Sequence, residues 1–360
     1  MIVTTEPTLH IDVVSSPSVH RRVPSKRRRA AMACIAFAIA AVAMLGGIHK
    51  HIDGSNGELR DPMYAEQRSL LRSWPEFTGP RGSKQRIAFL GSSRTQLLAE
   101  AEMLSDERRT VLNFGCAGCG PMANALYLRR LLHEGLRAEW IVVELHPAML
   151  ANVEPAIESM WLQLHRVDAT EADRLRSYGW SIGEPEHLKP RAMLADVHTY
   201  RMNLLNAYAP PLMASPYGLG LLLRRSPRGY VPGFDVDLGQ RWKFIALARS
   251  EYGRSFPLPS IGGPSVAALR DTAAVAKQHG MNAMFLLTPE SNEFRSWYGE
   301  GADGRIEAFA KSLALETGST LIDARCWLPD DAFADGHHAT EDGAKLFAKH
   351  MRIQLERIAP

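Results

Sequence analysis

Near the C-terminal end of the chain, Asp335-Gly336-His337-His338 leads through Ala339-Thr340-Glu341-Asp342-Gly343 into a helical pattern. An Asp three residues before a His, on a loop entering a helix, can fix an imidazole's tautomer and make it a general base. Such a pair needs a nucleophile. Gly91-Ser92-Ser93 offers one, directly after the apolar run Ile87-Ala88-Phe89-Leu90. A serine hydroxyl is a weak nucleophile until a base takes its proton. Ser93, His338 and Asp335 together therefore read as an acyl-transfer site. Ser92 is the competing nucleophile, and a helix-capping serine beside a solvated loop is the plainer alternative.

These residues need strands to hold them. Short apolar runs occur at 86–90, 110–114, 140–145, 283–287 and 320–322, and helical patterns at 94–104, 122–135, 266–279 and 304–317 fall between them. The alternation predicts an α/β fold, a three-layer α/β/α sandwich around a mainly parallel, flavodoxin-like sheet of about five strands. Runs rich in Val, Ile and Leu without clean alternation suit a sheet covered on both faces. In such a sheet ligands bind at the carboxyl ends of the strands, and each candidate residue falls at one. Ser93 also begins a helix, so its backbone N–H can face a developing oxyanion. After the last strand, Thr340 reads as the N-cap of a final helix whose stripe is Ala344, Phe347, Ala348, Met351, Leu355 and Ile358.

The N-terminal part has a different character. Residues 1–29 are polar and basic and read as a disordered tail. Residues 30–48 form an uncharged apolar run of about the length that spans a bilayer. Arg21, Arg22, Lys26, Arg27, Arg28 and Arg29 precede it and few basic residues follow, which predicts a signal anchor with the N-terminus inside and the rest periplasmic or extracellular. A signal peptide cleaved near Ala41-Val42-Ala43 is the rival. Residues 49–83 read as a linker and 84–360 as the catalytic domain. Within it the Pro-, Trp- and Tyr-rich stretch 150–258 reads as an insertion, too long for a plain connection.

At 360 residues the chain can hold one large domain or two modest ones. The net charge of +3 and the absence of a basic stripe give no sign of a nucleic-acid partner. There is no phosphate-binding glycine motif. Four cysteines are too few for a disulfide scaffold. Cys116 and Cys119 form a C-x-x-C in a Gly-rich loop, readable as two small loop residues or one local disulfide. Nothing with suitable spacing supports zinc.

With these residues in view, the chain resembles the SGNH/GDSL-type esterases and acyltransferases. Gly91-Ser92-Ser93 resembles the first family block, Asn113 to Gly118 the second, and Asp335-Gly336-His337-His338 the last. The resemblance implies Ser93 as nucleophile, His338 as base, Asp335 as its orienting partner and His337 as a bystander. It implies that the Ser93 and Gly118 N–H groups form the oxyanion hole. One departure stands out: where the family's third block supplies an Asn donor, this chain has Glu144-Leu145-His146-Pro147, leaving His146 or Asn152 as substitutes. The anchor and this departure make the chain look most like the membrane-anchored SGNH-like proteins of exopolysaccharide and cell-wall acylation, such as those of alginate O-acetylation.

That resemblance implies a serine-dependent carbohydrate O-acyl transferase or esterase. It would act outside the membrane on an envelope or exported polysaccharide, with a multi-spanning membrane acyltransferase as partner and no metal or cofactor. Arg94, Arg295, Trp297 and Tyr298 are candidate substrate contacts, the last three because 288–298 resembles a polar segment of those relatives; a structural or pocket-edge charge for Arg94 and a plain surface loop for 288–298 are the alternatives. A catalytically weak scaffold or glycan-binding subunit, and a lipid esterase, are the alternatives.

Overall fold

The computed structural model describes residues 26–55, 57–183, 192–209, 212, 225–233, 236–237 and 239–358. Most of the expected basic tail, up to residue 25, lies outside the described residues. Five strands, β1 (Gln85–Leu90), β2 (Arg109–Asn113), β3 (Trp140–Leu145), β4 (Asn282–Leu287) and β5 (Thr320–Asp323), make one sheet. Their order is β2-β1-β3-β4-β5 and every neighbouring pair is parallel. The chain steps outward from β1 to β2, returns to β3 and continues the other way. The crevice at that reversal opens beyond the carboxyl ends of β1 and β3.

The described helices are α1 (Lys26–Gly54), α2 (Pro62–Ser73), α3 (Ser93–Leu98), α4 (Ala101–Leu104), α5 (Pro121–His133), α6 (Ala169–Ser177), α7 (Ala192–Tyr208), α8 (Arg241–Glu251), α9 (Gly263–Gln278), α10 (Asn292–Ser296), α11 (Ala302–Thr317) and α12 (Glu341–Ile358). Successive strand side chains point to opposite faces, and both faces are covered. Ala88, Leu90, Ile141, Val143, Phe285 and Leu287 pack with α2, α5, α9 and α11. Ile87, Phe89, Val142, Met284 and Leu286 pack with α3, α4 and α12. This is the three-layer α/β/α arrangement, and it explains the continuous apolar strands. On α12 the expected stripe Ala344, Phe347, Ala348, Met351 and Leu355 is buried. Thr340 Oγ1 accepts from the Gly343 N–H at 3.1 Å, as a cap should.

Two expectations need correction. The helix expected over 94–104 is two, α3 and α4, interrupted at Ala99 and Glu100. Asn113, at the end of β2, donates its side-chain N–H groups to the carbonyls of Thr95 and Ala99 at 2.9 Å each. Those carbonyls are satisfied without a further helical turn. Residues 57–83 are not a plain linker: α2 buries Leu70 and Leu71, Phe77 is buried after it, and Gln67 donates to the Phe114 carbonyl. Where it is described, the 150–258 stretch, whose internal structure the sequence leaves open, carries α6, α7 and α8, with Leu175, Tyr200 and Ala248 buried.

The chain divides into two compact units, 1–47 and 48–360. In the first, α1 exposes Met32, Ile35, Phe37 and Ile39. The stretch Arg28–Ile52 has a mean hydropathy of 2.4 over its apolar window, with none of that window buried. Among the described residues, one helix is therefore long and apolar enough to cross a membrane.

Candidate active site

β1 ends at Leu90, and the chain turns through Gly91 and Ser92 into α3. Gly91 is required here, because a side-chain Cβ would lie 2.0 Å from Thr95 Oγ1 and 2.5 Å from Glu144 Oε2. Ser92 is buried and is the N-cap of α3, its Oγ accepting from the Arg94 N–H at 3.2 Å. Its hydroxyl also donates to Glu144. Ser92 is thus a structural serine. Ser93 is the first residue of the helix and is half-buried, so its hydroxyl turns outward.

Ser93 Oγ lies 2.7 Å from His338 Nε2, and His338 Nδ1 lies 2.7 Å from Asp335 Oδ2. Asp335 Oδ1 accepts the backbone N–H groups of His337 and His338 at 3.1 and 2.8 Å. The carboxylate is therefore fixed by its own loop before it meets the ring. Burial pushes the Asp335 carboxyl upward, but the His337 and His338 rings and these hydrogen bonds outweigh it and hold it well below the usual carboxylate range. For His338, burial favours the neutral ring, while the Asp335 charge and hydrogen bond overcome it, and its pKa is raised from its ordinary value.

The arrangement can pass the Ser93 proton to His338 while Asp335 stabilises the imidazolium. A neutral His338 is needed as base, so activity is present above its pKa and lost as pH falls through it. The acid limb of kcat/KM for p-nitrophenyl acetate is expected above pH ~6.5, the ordinary His value. Asp335→Asn removes the charge that raises the pKa. Its limb should move to lower pH, with a plateau roughly 10⁴-fold lower. A limb that stays put or moves upward would refute this assignment of the acid limb.

His337 is buried in an aromatic cluster, 4.9 Å from the Phe294 ring and 5.4 Å from Tyr252. Its Nδ1 is 3.2 Å from Asp335 Oδ1 without forming a hydrogen bond to it. Burial pushes its pKa well down. Asp335, His337 and His338 bring three potential metal-ligand atoms within 4.8 Å of one another. His338 already uses both ring nitrogens, so a metal there would compete with the Ser93 contact.

The second expected block is built as a turn. The Cys116 N–H donates to the Gly91 carbonyl at 3.0 Å, tying this loop to the nucleophile loop, and Cys119 N–H closes back on the Cys116 carbonyl at 3.0 Å. Gly118 has φ +72°, and a Cβ there would lie 3.1 Å from the Trp161 side chain. Gly118→Ala should cost about 1–2 kcal/mol in backbone strain. It should also lower kcat roughly tenfold with KM little changed, by shifting the loop N–H. Unchanged kcat in steady-state assays would speak against an oxyanion role for Gly118. Behind the loop, Glu158 accepts the Met122 and Ala123 N–H groups at the start of α5 at 2.8 and 2.7 Å. Burial outweighs those bonds and pushes its pKa up to about 7.

Other expected residues fall elsewhere. Neither substitute for the missing Asn is hydrogen-bonded to the triad among the described residues. His146 is buried, 6.4 Å from the His337 ring and 4.8 Å from Tyr252, and burial keeps it neutral. Asn152 is exposed and lies against Gly262 and Gly263. Arg94 and Tyr298 are not substrate contacts, since each is 1 % exposed. Arg94 pairs with Glu290 at 2.9 Å, and the Tyr298 hydroxyl donates to the same carboxylate at 2.8 Å. Arg295 is half-buried and donates to Cys326 Sγ at 2.8 Å. Trp297 is half-buried on a surface groove with Trp242, Arg241, Arg249 and Glu293, of about 450 Å³.

Glu144 escaped sequence reasoning as a positioning residue. Its buried carboxylate accepts the Ser92 N–H at 2.6 Å, the Ser92 hydroxyl at 2.9 Å and the Thr95 hydroxyl at 2.8 Å. It also lies 3.7 Å from Arg94 Nε. The end of β3 thus supports the nucleophile loop from beneath instead of offering an Asn. One charge in the run Trp140–Leu145 was the available signal, because an ionisable group in a buried strand needs partners.

No family model matches the chain, and no curated protein does. Solved structures are similar to it at low identity. A GDSL-like lipase from Bacteroides thetaiotaomicron is 9% identical, covering 83% of this chain and 98% of its own, with a TM-score of 0.37. An aryl esterase from M. smegmatis is 11% identical over 76% of this chain and 99% of its own, TM-score 0.36. A carbohydrate acetylesterase from Sinorhizobium meliloti is 10% identical over 76% and 100%, TM-score 0.35. These likenesses are too distant to assign chemistry, which is read from the Ser93, His338 and Asp335 geometry alone.

Proposed function

We propose that this chain is an SGNH-type serine ester hydrolase or O-acyltransferase acting on carbohydrate esters outside the cytoplasm. One observation carries the reading: Ser93, His338 and Asp335 are linked by two 2.7 Å contacts, with Ser93 and His338 half-buried and Asp335 buried. Ser93 Oγ attacks the ester carbonyl carbon as its proton moves to His338 Nε2. The oxyanion is met by the Ser93 and Gly118 N–H groups. His338 then protonates the leaving oxygen, and an acyl-serine remains. Water, or a sugar hydroxyl deprotonated by the same ring, releases the acyl group and restores Ser93. The choice of acceptor separates hydrolase from transferase, and a multi-spanning acyltransferase as acyl donor belongs to the transferase form.

The groove supports a carbohydrate substrate. Trp242 is 64 % exposed, and indole faces flanked by Arg and Glu suit a sugar's C–H face and hydroxyls. α8 carries Trp242 and, at its far end, Glu251, whose charge acts on His338. Nine residue steps along the helix separate them, about 14 Å, so an extended chain resting on the groove can reach the triad. α1 and the basic residues before it support an anchor that leaves the catalytic unit outside.

The test uses the full-length chain in detergent with a fluorophosphonate probe, p-nitrophenyl acetate, acetylated glycans and phospholipid vesicles. Probe labelling lost in Ser93→Ala is expected. Trp242→Ala should raise KM for acetylated glycan about tenfold and leave p-nitrophenyl acetate unchanged. No labelling of Ser93 would sink the enzyme reading in favour of a scaffold, and cleavage of phospholipid alone would favour a lipid esterase.

A further inference from the structure

Cys116 and Cys119 bracket Ala117 and Gly118 in the turn just described. The Cys119 N–H to Cys116 carbonyl bond of 3.0 Å closes four residues into a hydrogen-bonded turn. Such a turn keeps its end Cα atoms within about 7 Å, the range a disulfide bridges. Both thiols are free and buried, 1 % and 3 % exposed, and they share one apolar cluster with Met122 and Leu126. Burial and the adjacent Cys116 thiol push the Cys119 thiol up. Ala117, between them, is exposed, so the tip of the turn faces solvent.

We propose that Cys116 and Cys119 are a site of reversible disulfide formation whose closure shifts the Gly118 N–H and slows acyl transfer from the Ser93 site. The effect on rate rests on the oxyanion role proposed for Gly118; the bridge itself does not. With oxidised glutathione as oxidant, the Cys116 thiolate attacks one glutathione sulfur and displaces a glutathione thiolate. Cys119 then attacks Cys116 Sγ of the mixed disulfide, and its proton leaves with the second glutathione. The two cysteines lose two hydrogens and two electrons, and one glutathione disulfide becomes two thiols. Compartments outside the cytoplasm supply such oxidants.

Closure must act on Gly118 because the turn is held on two sides. Its first residue is tied by the Cys116 N–H to Gly91, two positions before Ser93. Trp161 closes the space beside Gly118, where a Cβ would lie 3.1 Å from it. Bringing the sulfurs to about 2.05 Å therefore draws on the dihedrals of Ala117 and Gly118. Catalytic groups need placement to within about 0.5 Å, and loss of one oxyanion donor costs about 10²–10³. A displaced donor is expected to cost part of that, roughly tenfold.

The test uses the full-length chain with C34S and C326S in detergent, equilibrated across glutathione redox buffers and quenched with N-ethylmaleimide. Intact mass counts alkylated thiols, while fluorophosphonate labelling of Ser93 and p-nitrophenyl acetate turnover are read on the same samples. The expected result is loss of both alkylation sites together and a roughly tenfold fall in rate with the same midpoint, with the rate of C116S/C119S flat across the series. Two alkylated thiols even in fully oxidising buffer would overturn the proposal, as would a bridge that forms with no change in rate. A chain inert toward probe and ester in every buffer would instead fail the serine-ester reading, and the mass series would still decide whether the bridge forms.

Discussion

Ser93→Ala is expected to lower kcat for p-nitrophenyl acetate by roughly 10⁴–10⁶ and to leave the fold intact. Ser93 is half-buried, and among the described residues its hydroxyl's hydrogen-bond partner is His338 Nε2, so stability should change by no more than about 1 kcal/mol. Ser92→Ala gives the opposite pattern. It removes the α3 cap and a donor to the buried Glu144 carboxylate, and a lost cap alone costs about 0.5–2 kcal/mol. Thermal denaturation and steady-state kinetics on the two variants separate the serines. Were Ser92→Ala the catalytically dead protein and Ser93→Ala the active one, the nucleophile would be misassigned.

Glu144→Leu is expected to be among the most destabilising single changes near the site. It strips an acceptor from the Ser92 N–H, the Ser92 hydroxyl and the Thr95 hydroxyl, all buried. It also leaves Arg94 with Glu290 as its remaining carboxylate at pairing distance. Each buried unsatisfied donor costs about 1–3 kcal/mol. These costs are not additive, because the groups share one network. A total loss of about 3–5 kcal/mol is the scale of a broken buried ion pair. Glu144→Gln keeps the shape and one acceptor oxygen, so it should fold and show its damage in kcat, roughly 10–100-fold down with KM unchanged, as a displaced nucleophile requires. A Glu144→Leu protein that melts with the parent would show that the β3 carboxylate does not hold the nucleophile loop.

The same contrast marks what was legible in advance. Ser93, Asp335 and His338 could be chosen from the chain because each sits where an apolar run stops and a helical pattern starts, and serine needs a base to react. The five apolar runs and their order could be read for the same reason, since a strand buried on both faces has no polar alternation to hide it. By type Tyr298 suggests substrate contact, and Arg94 suggests either that or a structural charge. Only packing shows that Glu290 takes up both of them, 196 and 8 residues away in the chain.

The break between α3 and α4 belongs with these. Local pattern favours one helix, but Asn113 from the neighbouring strand satisfies the carbonyls that end α3. The segment before β1 likewise looked like a tether, because its apolar residues find partners only when β1 and α5 are in place.

The sequence by itself determined the class of the sheet, the apolar α1 and the chemical types at the strand ends, because periodicity and residue chemistry are local properties. Tertiary structure alone decided which serine faces outward, that Glu144 supports it, and that Cys116 and Cys119 bracket Gly118 in a turn tied to Gly91. Those outcomes depend on which buried donors meet which acceptors across distant segments, and a linear pattern does not carry that pairing.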